Sequence, residues 1–211
     1  MNRFGLPPTV YGTIKSPMEV IMAIEVKTLT FEEYLAMPEM KQRFEIIDGE
    51  LIMSPAPTSG HQWLVGKIFV LLWTFVLERN LGVVLAAPVD VVIQRDPLRT
   101  RQPDVLYLSA ERSGVRGRAE LRAMPVLEIP PDLVVEVLSP SDTRRDMDDK
   151  LEDYRKIGVR ECWLVSPEAE TVEVLRLSSE GVETVNIYGI GGTLRSEVLE
   201  NFTLGVREIF G

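Results

Sequence analysis

A chain of 211 residues, 45% hydrophobic and 26% charged, has globular composition and length enough for one sizeable core. Its net charge of −9 excludes a broad phosphate-binding surface, because non-specific nucleic-acid affinity comes mainly from Lys and Arg displacing counterions, so any such contact must be local. The single cysteine, Cys162, permits no intrachain disulfide and makes the cytoplasm the default compartment.

Residues 1–24 contain Pro7, Pro8 and Pro17 without a sustained apolar core, and read as a loose arm rather than a secretory signal; one compact domain is expected over residues 25–211. Thr30 and Glu33 in TFEEYLAMP form a capping-box pattern, and Pro38 stops the short helix it opens. RFEIIDGELIMSPAP reads as a hairpin turning at Asp48-Gly49, which puts Phe44, Ile46, Leu51 and Met53 on one face and Glu45 and Glu50 on the other. A helix is predicted from His61 to Arg79, with only a narrow polar strip of Lys67, Thr74 and Glu78. Its apolar run, Trp63 to Leu77, is interrupted by Lys67 and falls short of the about 20 residues a bilayer crossing needs, so no membrane is expected. Such a helix needs cover on two sides, one of them its own sheet. The other is the hairpin or a second subunit, and a homodimer is the expectation. His61 falls on the side of Ile68 and Leu72, toward the sheet.

Three strands follow, Val83–Ile93, Asp104–Ser109 and Asp132–Ser139, the last nearly all β-branched or leucine around Glu136. Arg112, Arg116, Arg118 and Arg122 lie between the second and third in a segment read as a solvated loop. Ser139 to Asp142 supply N-cap candidates for a helix ending at Ile157 before Gly158. ECWLVS is the next strand, and TVEVLRL and VETVNIY continue it antiparallel. Asp142, Asp146, Asp148, Asp149 and Asp153 form an acidic face expected to be solvated, and Trp63, Trp73, Trp163 and Cys162 are expected in the core. Helix, three strands, helix, strand, then extra strands describes an α/β mixed sheet flanked by helices.

Three residues in this order carry potential chemistry. Asp104 opens a strand after Pro103, Glu136 sits inside the next, and Lys150 lies on the margin of the following helix's buried stripe, between Tyr154 and Ile157. Adjacent strands lie about 4.8 Å apart, so two carboxylates on neighbouring strands can share one divalent cation, and oxygen-only ligands favour Mg²⁺ or Mn²⁺. Each residue also has a plainer reading. Asp104 fits a turn residue, Glu136 and Lys150 fit a structural buried ion pair, His61 fits a helix start, and Glu45 fits an exposed hairpin carboxylate.

Pro103-Asp104, Glu136 in EVLSPS, Lys150 with Tyr154, and GVRECWLV together closely resemble the Uma2-type proteins of the PD-(D/E)xK nuclease-like superfamily. The likeness runs roughly from Thr30 to Leu177, with FEIIDGELIMSPAPTSGHQ matching the family's opening hairpin and helix start. It implies a restriction-endonuclease-like α-β-β-β-α-β core with an added N-terminal helix and β-hairpin, and metal-dependent hydrolysis of phosphodiester bonds in nucleic acid, DNA ahead of RNA. Carried over, Asp104 and Glu136 would ligate Mg²⁺ (or Mn²⁺) with the Val137 carbonyl. Lys150 would orient or help deprotonate water, Glu45 would be a further acid, and His61 would contact a substrate phosphate. One departure is Leu138, which stands two residues after the acid where the superfamily's common motif has lysine; Lys150 resembles the variant in which that lysine has moved to the next helix. The alternative function is a non-catalytic interaction protein on the same fold.

Overall fold

The structure is a computed structural model that describes residues 28–211 apart from 39 and 41; the expected arm, residues 1–24, lies outside the described residues. Helix α1 (Phe31–Leu35) starts at the reciprocal capping box of Thr30 and Glu33. The hairpin of β1 (Phe44–Ile47) and β2 (Glu50–Met53) turns through Asp48 and Gly49 at φ 53° and 81°, both positive as a type I′ turn requires. Its register pairs Phe44 with Met53 and Ile46 with Leu51, which places the faces as expected.

Helix α2 (Ser59–Glu78) is capped by the Thr58 hydroxyl and buries Leu64, Val65, Ile68, Leu72 and Val76. Cover on two sides is not what forms among the described residues. Trp63 and Trp73, expected in the core, are 48% and 44% exposed, with Val70 and Leu77 exposed beside them. At 20 residues α2 is long and apolar enough to cross a membrane by length and composition alone, and its buried stripe packs on the main sheet.

The segment expected as one strand, Val83–Ile93, is two. β3 (Gly82–Ala86) ends before Pro88, which has no N–H to offer a ladder, and β4 (Val91–Arg95) joins a different sheet beside β5 (Leu98–Arg101). After β6 (Val105–Ser109), the arginine-bearing segment forms two single-turn helices, α3 (Ala110–Ser113) and α4 (Arg118–Leu121), rather than a plain loop. β7 (Leu133–Val137) leads to α5 (Arg144–Ile157). The cap of α5 is Thr143, bonded reciprocally to Asp146, and not one of Ser139 to Asp142; Asp142 instead takes the Ser139 N–H within the preceding turn. Gly158, at φ 88°, ends α5 in the left-handed conformation that favours glycine. β8 (Glu161–Ser166), β9 (Thr171–Ser178) and β10 (Gly181–Gly189) follow as expected, and a C-terminal unit of β11 (Thr193–Arg195), β12 (Thr203–Gly205) and α6 (Val206–Phe210) closes the chain.

The main sheet runs β10-β9-β8-β7-β6-β3, with β7 and β8 parallel and the other neighbours antiparallel. Elements α2, β3, β6, β7, α5 and β8 give the helix, three strands, helix, strand core. A second sheet, β2-β1-β5-β4, joins the hairpin to the β4–β5 ribbon. Every residue of β7 is buried, as befits a central strand covered on both faces. Leu133, Val135 and Val137 pack with α2 and the C-terminal unit, while Val134 packs with Met147, Leu151 and Tyr154 of α5. Alternation therefore turns Glu136 toward α5.

Candidate active site

The register between β6 and β7 pairs Val105 with Val135, so one step further Asp104 stands opposite Glu136. Directly opposed residues of an antiparallel pair have Cβ atoms about 4.5–5.5 Å apart, which lets the two carboxylates meet at one point. Glu136 Oε2 lies 3.1 Å from Lys150 Nζ, and the Tyr154 hydroxyl donates to Oε1. Lys150 and Tyr154 are four residues apart on α5 and so share the face that meets the sheet. Lys150 thus reaches inward from the helix margin.

Asp104 is held from three sides. Its Oδ2 accepts the Val137 N–H at 2.8 Å and lies 3.3 Å from His61 Nε2, and its Oδ1 accepts from Arg43 Nη1 at 2.8 Å. Arg43 also donates to the Gln102 carbonyl, anchoring the chain just before β1 to the end of β5. His61 Nε2 is 3.0 Å from the Val137 carbonyl as well, and with only acceptors around it that nitrogen carries the proton. Nδ1 of His61 is buried without a partner.

Glu45 is not the exposed hairpin carboxylate of the plainer reading. Its Oε2 accepts from Arg101 Nη1 at 2.8 Å, its Oε1 accepts the Gln102 N–H at 3.2 Å, and the same oxygen is 3.9 Å from Lys150 Nζ. Arg101 donates through Nε to Asp153 at 2.7 Å, and Asp153 also receives Arg99 Nε at 2.7 Å. Asp153, expected on a solvated face, is therefore buried: it holds two guanidiniums against α5. The structure brings Asp104, Glu136, Lys150, Glu45, His61 and Val137 into one cluster. Sequence reasoning missed Arg43, Arg101, Gln102 and Asp153. Arg99 and Arg101, two residues apart in LRTR, present one basic face of a strand, a signal that was available.

Burial works to raise Asp104, but His61, Arg43 and the Val137 N–H outweigh it and hold this carboxyl below the ordinary aspartate value. Glu136 goes the other way. Burial, aided by the Asp104 charge, pushes it above the ordinary glutamate value against the pull of Lys150 and Tyr154. Burial also disfavours the Lys150 ammonium, yet Glu136 and Glu45 together raise its pKa, so Lys150 is a cation here. Neighbouring carboxyls driven in opposite directions recur at functional sites.

The donor chemistry fits a hard divalent cation. Asp104 and Glu136 offer carboxylate oxygens, and the carbonyl of Val137, the residue after Glu136, adds a third oxygen of the same hard type. Among the described residues no three His, Cys, Asp or Glu side chains are arranged as a metal cage, so water would complete the coordination, as Mg²⁺ tolerates and structural Zn²⁺ does not.

An α-β-β-β-α-β core with paired acids at the ends of its central strands and a lysine beside them defines the restriction-endonuclease-like class. The family model of Uma2, described as "Putative restriction endonuclease", matches residues 31–207, and the chain belongs to the Uma2 family. A solved protein from Anabaena variabilis, described as a "putative nuclease belonging to DUF820", shares the fold with a TM-score of 0.69. It is 19% identical, and the match covers 86% of this chain and 97% of that one. A search of the curated proteins finds no match.

Proposed function

We propose that the chain is a Mg²⁺- or Mn²⁺-dependent endonuclease acting on DNA. The observation that carries this is the register of β6 and β7, which extended by one residue sets Asp104, just before β6, opposite Glu136, with the Lys150 ammonium 3.1 Å from Glu136. The preference for DNA rests on the description of the family. Asp104, Glu136 and the Val137 carbonyl would hold the metal, which when bound supplies Lewis acidity toward a phosphate oxygen and a more acidic water. Lys150 orients the attacking water and stabilises negative charge developing on the phosphoryl group. Glu45 keeps Lys150 charged and in place, together with Glu136. His61 has its proton-bearing nitrogen committed to Asp104 and Val137, which supports a role in orienting Asp104 more than one at a substrate phosphate.

Mn²⁺ at a hundredfold excess over its Kd is expected to stabilise the protein by about 2.7 kcal/mol. At about 2–4 °C per kcal/mol the melting temperature should rise by roughly 5–10 °C, with no rise in Asp104→Asn. An unchanged melting temperature in the unaltered protein, with no cleavage of DNA or RNA, removes the reading.

A homodimer through α2 belongs to the same proposal. Trp63, Val70, Trp73 and Leu77 follow one another at steps of seven, three and four residues, the spacing of a coiled-coil seam, and all are exposed. Sedimentation equilibrium should give twice the chain mass, and Trp73→Glu should return the monomer; a monomer from the start refutes it.

A further inference from the structure

Asp104 is served by two kinds of partner. Its Oδ2 is bound by the Val137 backbone N–H, which is fixed in β7, and faced by the largely buried His61 ring. Its Oδ1 is bound by Arg43 alone, a side chain 20% exposed whose backbone lies just before β1. The positive charge of Arg43 is also felt by Glu136 and Glu45, so the guanidinium sits where the field of all three acids converges. A monovalent organic cation thus already holds one of the two Asp104 oxygens.

Resting on the nuclease reading above, we propose that Arg43 is an exchangeable counter-cation: it neutralises and covers Asp104 Oδ1 in the metal-free protein, yields that oxygen when Mg²⁺ or Mn²⁺ enters, and is then free to meet a substrate phosphate. The Gln102 carbonyl, its second acceptor, is the tether about which the guanidinium turns. A planar fork of five donors suits both partners, the carboxylate before exchange and the phosphate after it. The device keeps a cluster of buried acids neutralised while no metal is bound, and it lowers metal affinity by the repulsion between guanidinium and ion.

Isothermal titration with MnCl₂ tests the exchange without recourse to cleavage. Removing one positive charge a few ångströms from the ion is expected to tighten Mn²⁺ binding by about tenfold in Arg43→Gln, while Arg43→Lys, which keeps the charge, stays near the parent value. Equal or weaker binding by Arg43→Gln would mean that Arg43 only positions Asp104, and the proposal falls. In the unaltered protein, the guanidinium NMR signals of Arg43 should shift and lose protection from solvent exchange on adding Mg²⁺, a readout independent of how the variants fold; unchanged signals at saturating Mg²⁺ overturn it. A parent protein that binds no Mn²⁺ sinks the nuclease site and this inference together, whereas a parent that binds Mn²⁺ with no gain in Arg43→Gln sinks the exchange alone.

Discussion

Lys150→Met is expected to destabilise the protein by about 3–5 kcal/mol with no metal present. Glu136 is 3% exposed, and its two oxygens are served by Lys150 and Tyr154. Without the ammonium a carboxyl remains in the sheet with one hydroxyl donor and no cation bonded to it, since Arg43 is bonded to Asp104 and reaches Glu136 only through its field. Glu45 loses a cation too, though Arg101 still holds it. Urea unfolding at neutral pH measures the loss. The double variant Lys150→Met, Glu136→Gln should recover most of it, because a neutral amide still accepts from Tyr154 and no longer needs a counter-charge. A single-variant cost under about 1 kcal/mol would show that the pair is exposed or unformed, since that is the range of surface ion pairs.

Asp104→Asn should reduce DNA cleavage by more than about 100-fold, beyond the 10–100-fold typical of losing an outer partner of a metal ligand. The amide keeps one oxygen but puts an NH₂ where a donor already points, either Arg43 or the Val137 N–H. Some stability is therefore lost as well, about 1–3 kcal/mol for one unsatisfied buried group. Far-ultraviolet circular dichroism and the melting temperature establish that the variant is folded at the assay temperature. Cleavage within tenfold of the parent would remove Asp104 from the site.

The parts of this fold that are legible in the chain are those set by neighbours in sequence. Asp48-Gly49 dictates the hairpin because both residues tolerate positive φ, and Glu161–Ser166 reads as a strand from the short apolar run Cys162–Val165. Thr30 with Glu33 marks a helix start since the two hydrogen bonds close within one turn. Where this local reasoning failed, a different physical preference prevailed. Val83–Ile93 is valine-rich at both ends, yet Pro88 interrupts the ladder and lets β4 swing into a second sheet. Trp63 and Trp73 are apolar enough for a core, but a helix resting on one sheet buries one stripe only, and the tryptophans fall on the other.

The order of elements, the strand bearing Glu136 and the helix margin bearing Lys150 follow from the sequence by itself, because period, turn chemistry and capping act over a few residues. Which charges meet is decided by the tertiary structure. Lys150 and Glu136 are 14 residues apart, but Arg101 reaches Asp153 across 52 and Arg43 reaches Asp104 across 61. No local rule selects such partners. They are chosen when the hairpin sheet, β6, β7 and α5 pack together and a low-dielectric interior makes every unpaired charge costly, so that guanidiniums and carboxylates brought near one another must pair.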